Sequence, residues 1–240
     1  MCTVTYIPHP KGYFLTSSRD EKSTRSKAIL PSLYKIDNVS VIFPKDTDAG
    51  GTWIVLKENG DSVCLLNGAF ENFVNKGNYT ISRGKIVLEI VTSDNLLTAF
   101  NKINLQKVAP FTLIVINKNH LFECRWDAEN KYCKALNNKM TFIWSSATLY
   151  DKTTQQKRQN WFNKFILSNK NPSQKDIFYF HTDTGDGDAA NDLLMNRDEQ
   201  YFTVSISSIA VVENELNMHY KDLKNNDSIT TGFATQNAIA

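Results

Sequence analysis

A cysteine stands directly behind the initiator methionine, as Cys2. A small second residue favours removal of the initiator. Removal would leave a thiol and a free α-amine on one residue. That amine has an unperturbed pKa near ~8, so it can take the thiol proton, and a nucleophile of this kind needs no separate histidine. The four histidines, His9, His120, His181 and His219, show no pairing with a cysteine or carboxylate in the sequence. A later segment carries Arg19-Asp20-Glu21. Arg19 offers a cation to a thiolate and a substrate oxygen, and Asp20 a carboxylate to hold and orient the α-ammonium. The plain alternative is a surface ion pair at a strand end, and spacing alone leaves both open.

These residues need a hairpin to meet. Cys2 to Ile7 alternates polar and apolar strand formers, Pro8 to Gly12 is a turn cluster, and Tyr13 to Ser17 is a second strand. Folded together, they put Cys2 across from Ser17-Ser18-Arg19-Asp20. Thr52 to Lys57 and Asp61 to Leu66 flank Glu58-Asn59-Gly60, a second hairpin with an Asn-Gly turn. Its return strand brings Asn67 back to the end that holds Trp53. Arg83 to Thr92 suits either a buried strand or a helix; Ile86, Val87, Ile90 and Val91 mark one helical face, and helix is preferred. Leu96 to Ile103 reads as a short helix with its cap region at Asp94. Phe111 to Asn117 and His120 to Asp127 pair as strands, and Phe142 to Ser145 is a strand end. Asp151 to Ser168 is a helix with Trp161, Phe162, Phe165 and Ile166 inward. Asp183 to Asp188 is acidic and glycine-rich but lacks EF-hand spacing, so it reads as a loop followed by a helix cap. Phe202 to Val212 and Glu215 to Tyr220 form a last hairpin, and a polar tail from about Lys224 to Ala240 is expected to fray. The class is α+β: a four-layer αββα sandwich of two antiparallel sheets covered by helices.

Composition narrows the function. At 240 residues one domain spanning the chain is expected. Hydrophobic residues at 41% can build its core. Lys and Arg number 27 against 25 Asp and Glu, so no basic footprint for nucleic acid exists. No run approaches the ~18 apolar residues of a membrane span. The start has no signal-peptide pattern, so a cytoplasmic location is expected. Cys64 sits in the apolar run Ser62 to Leu66 and reads as a small buried hydrophobe. Cys124 and Cys133 read as structural or incidental, and no metal or cofactor pattern appears.

Five segments together resemble the NRDE family, the transport and Golgi organisation protein 2 family. Met1-Cys-Thr-Val and Ser18-Arg-Asp-Glu21 resemble its opening, where a cysteine follows the initiator and a strand runs into Asn-Arg-Asp-Glu. Gly50-Gly-Thr-Trp53 matches its Gly-Gly-Thr-Trp, Ser82-Arg-Gly84 its Ser/Gly-Arg-Gly, and Trp144 to Tyr150 is similar to its Leu-Ser-Asn-Ala-Leu segment. The family is similar in fold to cysteine N-terminal-nucleophile amidases such as penicillin V acylase and bile salt hydrolase. The resemblance implies Cys2, Arg19, Asp20 and Asn67 as site residues, with the Asn67 amide donating to an oxyanion. It implies Trp53 and Ser146 as ligand contacts. Three positions depart from the family pattern: Ser18 and Ser146 stand where it has asparagine, and Val204 stands where it often has arginine.

Three functions compete. The first is a hydrolase of a non-peptide carbon–nitrogen amide in a small molecule, through an acyl-enzyme on Cys2. The second is a binding or trafficking protein for a hydrophobic ligand such as haem or lipid, with Cys2 as a contact. The third is a degenerate scaffold with a structural role. Intact mass discriminates the first, because retention of Met1 takes the α-amine off Cys2.

Overall fold

The computed structural model describes residues 3–73 and 79–234, so Cys2 lies outside the described residues. The elements begin with β1 (Thr3–His9), β2 (Gly12–Lys22), β3 (Ile29–Ile36), β4 (Val39–Lys45), β5 (Ile54–Lys57) and β6 (Ser62–Asn67). Then come α1 (Arg83–Val91), α2 (Leu96–Lys102), β7 (Phe111–Asn117), β8 (His120–Trp126), β9 (Lys131–Leu136) and β10 (Phe142–Ser145). The chain continues with α3 (Lys152–Ser168), α4 (Gln174–Asp183), β11 (Asn196–Arg197), β12 (Tyr201–Val212), β13 (Glu215–Asp222) and β14 (Ser228–Gly232).

The strands form two antiparallel sheets. The first has the order β10-β1-β2-β12-β13-β14, with β11 paired to the start of β12. The second runs β3-β4-β5-β6-β7-β8-β9. β1 has a neighbour on each side: Thr3 faces Ser18 of β2 and Ser145 of β10. The N-terminal strand is therefore interior to its sheet, as its alternation predicts.

That alternation sorts side chains into layers. Val4, Tyr6, Tyr13 and Leu15 enter the large core shared with Ile54, Val63, Leu65 and Leu113 of the facing sheet. Tyr13 also donates to the Gly60 carbonyl at 2.6 Å, which ties the two hairpins together. Ile7, Phe14 and Ala210 face the other way and pack on Phe162 of α3 and on Ile177 and Phe180 of α4. α1 buries Ile86, Val87, Ile90 and Val91, the face read from the sequence, against the second sheet. Each such side chain contributes about 1.5–3 kcal/mol. The layer order is α1 and α2, second sheet, first sheet, α3 and α4.

Some expectations change. α2 is capped by Asn95, whose side chain accepts from Thr98, and Asp94 is not the cap. Of the predicted inner face of α3 only Phe162 is fully buried, beside Arg158 and Thr154; Trp161, Phe165 and Ile166 pack at its margin. The acidic loop follows a helix and precedes none: α4 ends at Asp183. Lys157 pairs with Asp186 at 2.8 Å and lies 3.7 Å from Asp188, which ties the loop to α3. The tail holds an edge strand, β14, and residues 235–240 lie outside the described part. No helix is long and apolar enough to cross a membrane among the described residues.

Candidate functional site

Because successive strand residues face opposite sides, β2 sends Arg19 and Asp20 to different layers. Arg19 points between the sheets and Asp20 toward α3 and α4. The two do not line one surface.

On the inter-sheet side, the Arg19 guanidinium donates to Asp46 at 2.7 Å and stacks 4.5 Å from the centre of the Trp53 ring. Arg25 reaches the same carboxylate at 2.8 Å, so Asp46 joins two arginines. Charge-assisted bonds and ring stacking fix Arg19 in one orientation. Trp53 is buried, and its indole N–H has no partner among the described residues. Arg19, Trp53, Asn67 and Arg83 line a cleft of about 90 Å³.

Two glycine motifs build this cleft. Gly51 and Gly84 lie backbone to backbone: a Cβ on Gly51 would fall 2.3 Å from the Gly84 carbonyl carbon. The Thr52 amide donates to the Gly84 carbonyl at 3.1 Å. The start of α1 can therefore press against the segment that carries Trp53 into β5, and Ser82 and Arg83 reach the cleft. Asn67 ends β6. Its carbonyl accepts from the Ser146 hydroxyl at 2.8 Å, a tie from the end of the first sheet's edge strand to the second sheet. Gly68 follows at φ +82, a conformation that favours glycine. Two larger clefts open beside this tie. One of about 410 Å³ is lined by Gly68, Phe70, Arg125, Trp144 and Lys152. The other, of about 490 Å³, shares Phe70 and Lys152 with it and adds Tyr150 and Arg197.

On the opposite face, Asp20 accepts from Tyr150 at 2.6 Å and from Thr203 at 2.5 Å. The Arg158 guanidinium stacks 3.6 Å from the centre of the Tyr150 ring and donates to Thr3. It also donates to the Asn191 and Asp192 carbonyls, at 3.1 and 2.7 Å through Nη2. His181 is buried between Thr5 at 2.9 Å and Ser18 at 2.8 Å. Burial, with the Arg158 charge second, pushes its imidazole down to about 3. A neutral ring with one donor and one acceptor nitrogen matches two hydroxyls. This buried lattice holds the start of β1 from behind.

The sequence profile of the transport and Golgi organisation 2 family matches residues 1–221. The chain belongs to that family. Curated protein sequences return no match. Among solved structures, a mutant of conjugated bile acid hydrolase from Clostridium perfringens superposes with a TM-score of 0.63 at 10% identity, covering 99% of this chain and 94% of that one. A second variant of the same hydrolase gives 0.60 at 10% identity, over 96% and 92%. The Caenorhabditis elegans N-acylethanolamine-hydrolyzing acid amidase ortholog gives 0.55 at 13% identity, over 87% and 92%. At these identities the likeness is one of fold, that of the N-terminal-nucleophile hydrolases.

The departures from the transport and Golgi organisation 2 pattern have local accounts. Ser18 lies on the helix-facing side and bonds His181, so it takes no donor from the Arg19 cleft. Ser146 is buried and holds Asn67 in place. Val204 sits at an irregularity where β12 slips against Arg19 and Asp20. A second guanidinium still reaches this region, from Arg25. Arg25, Asp46, Tyr150, Arg158 and Thr203 were not singled out from the sequence. Their partners lie far along the chain, although Tyr150 ends the segment Trp144 to Tyr150, Arg25 closely follows Ser18-Arg-Asp-Glu21, and Asp46 shortly precedes Gly50-Gly-Thr-Trp53. Cys64 is buried, and burial pushes its thiol up to about 12.

Proposed function

We propose that this protein is an N-terminal-cysteine amidohydrolase that cleaves a non-peptide carbon–nitrogen amide in a small molecule. One arrangement carries the reading: Arg19 and Asn67 line a single cleft at the end of β1 where Thr3, the residue after Cys2, sits between Ser18 and Ser145. With Met1 removed, the Cys2 α-amine takes the thiol proton and the thiolate attacks the carbonyl carbon. The Asn67 side-chain amide donates to the oxyanion, and the Arg19 charge favours thiolate over thiol. The protonated amine then gives its proton to the leaving nitrogen, and water activated by the same amine releases the acid. Asp20 has a supporting part. Its carboxylate, which accepts from Tyr150 and Thr203, orients the α-ammonium.

The structural relatives carry hydrolase and amidase in their names, which agrees with this chemistry. Cleft size bears on the substrate. The Arg19 cleft is small, and the adjoining space of about 410 Å³ is lined by Arg125, Lys152 and glutamines as well as Trp144. It suits a small polar or anionic acyl amide better than haem. A non-catalytic carrier that uses this larger cleft is the second reading.

The test is turnover of a panel of acyl amides by the Met-free protein, beside Cys2→Ala. Release of amine that Cys2→Ala abolishes supports the hydrolase. Ligand binding without turnover, unchanged by Cys2→Ala, supports the carrier and overturns the hydrolase.

A further inference from the structure

Two cysteines outside the candidate site face each other across neighbouring strands. Cys124 of β8 is directly opposite Cys133 of β9, with the sulfurs 2.6 Å apart. Directly opposed residues of antiparallel strands have Cα atoms about 4.5–5.5 Å apart, within the roughly 4.4–6.8 Å a disulfide spans. Cys124 is buried and Cys133 is exposed on the edge strand. One thiol can thus meet a reagent from solvent while the other waits behind it.

We propose that Cys124 and Cys133 form a thiol-oxidation site that closes a reversible cross-strand disulfide on reaction with a low-molecular-weight disulfide. The Cys133 thiolate attacks one sulfur of the reagent, the reagent's S–S bond breaks, and one thiolate leaves. Cys124 then loses its proton and attacks the Cys133 sulfur, and the second reagent thiolate leaves. The protein dithiol is oxidised by two electrons and the reagent is reduced to two thiols. The hydrogen bond from Cys124 holds the Cys133 thiol below its ordinary value, and the Lys131 charge adds to this. The same pairing and burial push Cys124 up. The exposed sulfur is therefore the first nucleophile and the buried one resolves.

The bond would act on the larger clefts through its neighbouring rung. Arg125 pairs with Tyr132 next to the cysteines. The Arg125 guanidinium lies 4.8 Å from the Phe70 ring centre, and the Tyr132 ring meets Phe70 edge-on at 5.1 Å. Phe70 lines both larger clefts. Oxidation would lock the strands that grip this wall.

The experiment incubates the full chain with oxidised glutathione and maps every cysteine by peptide mass. The expected product is a Cys124–Cys133 disulfide, a loss of about 2 Da reversed by dithiothreitol, with Cys64 unmodified. Cys124→Ser should stop with glutathione held on Cys133. Should that variant fail to fold, Cys133→Ser, at the exposed position, should leave Cys124 unmodified. Amide exchange at Tyr132 should slow about tenfold on oxidation. Glutathione persisting on Cys133 of the wild type without closure would overturn the proposal. So would closure only in the urea-unfolded chain.

Discussion

Gly51→Ala puts a methyl where another backbone already lies. The new Cβ would sit 2.3 Å from the Gly84 carbonyl carbon and 2.6 Å from the Lys85 amide nitrogen. Carbon atoms pack at about 3.5–4.0 Å, so more than 1 Å of movement is needed, and neither atom belongs to a side chain that can swing aside. Overpacking costs about 1–3 kcal/mol, and a rigid backbone clash belongs at the top, near 3 kcal/mol. For a chain of this length that lowers Tm by roughly 6–12 °C. The neighbouring residue supplies the control. Gly50 is at φ +69, and its added Cβ would meet only the end of Lys85 at 3.9 Å. Gly50→Ala should therefore cost only the left-handed penalty of about 1–2 kcal/mol. Urea unfolding of both variants measures the difference. If Gly51→Ala is no worse than Gly50→Ala, the crossing of the two motifs does not hold the cleft together.

Three further outcomes follow from the buried groups. His181 is held down to about 3 in the fold, against about 6.5 unfolded. Its contribution is complete above pH 6.5 and is lost as pH falls from there toward 3, because the unfolded chain binds the extra proton. Between pH 8 and 5 wild type should lose about 2 kcal/mol more than His181→Gln in denaturant titrations, and parallel curves would contradict this. Tyr150→Phe removes one donor from buried Asp20 and should cost about 1–3 kcal/mol by urea unfolding, with a loss under about 0.5 kcal/mol marking the bond as unimportant. Arg19→Lys keeps the charge but loses the fork and the ring stacking, so turnover should fall more than about tenfold; unchanged kinetics would remove Arg19 from the proposed mechanism.

Much of the frame was legible because short-range patterns carry it. Thr3 to Ile7 alternates, Asn59-Gly60 turns the second hairpin, and Ile86 to Val91 repeats at helical spacing. The alternation that predicts β2 also separates Arg19 from Asp20, so the two candidate residues reach opposite faces of the first sheet. α4 had a signal in Ser173 and Asp176, which form a capping box, but its apolar residues fall in one run, Ile177 to Phe180, that marks no helical stripe. β3 and β4 turn at Asp37 and Asn38, both at positive φ, without a glycine to mark them. β14 carries a single large apolar residue, Ile229, too little for an alternation to show, and it pairs along the edge that β13 offers. The pairings of Arg19 with Asp46, Asp20 with Tyr150, and Arg158 with Thr3 are tertiary and leave no local spacing to read.

The most direct test of the hydrolase account is intact and peptide mass spectrometry of the purified protein during incubation with acyl amides. The account predicts an N-terminus beginning at Cys2 and a transient acyl mass on that residue. The adduct should be absent in Cys2→Ala and slow to form in Arg19→Ala. A retained Met1, or amine release with no adduct at Cys2 and full activity in Cys2→Ala, would contradict it.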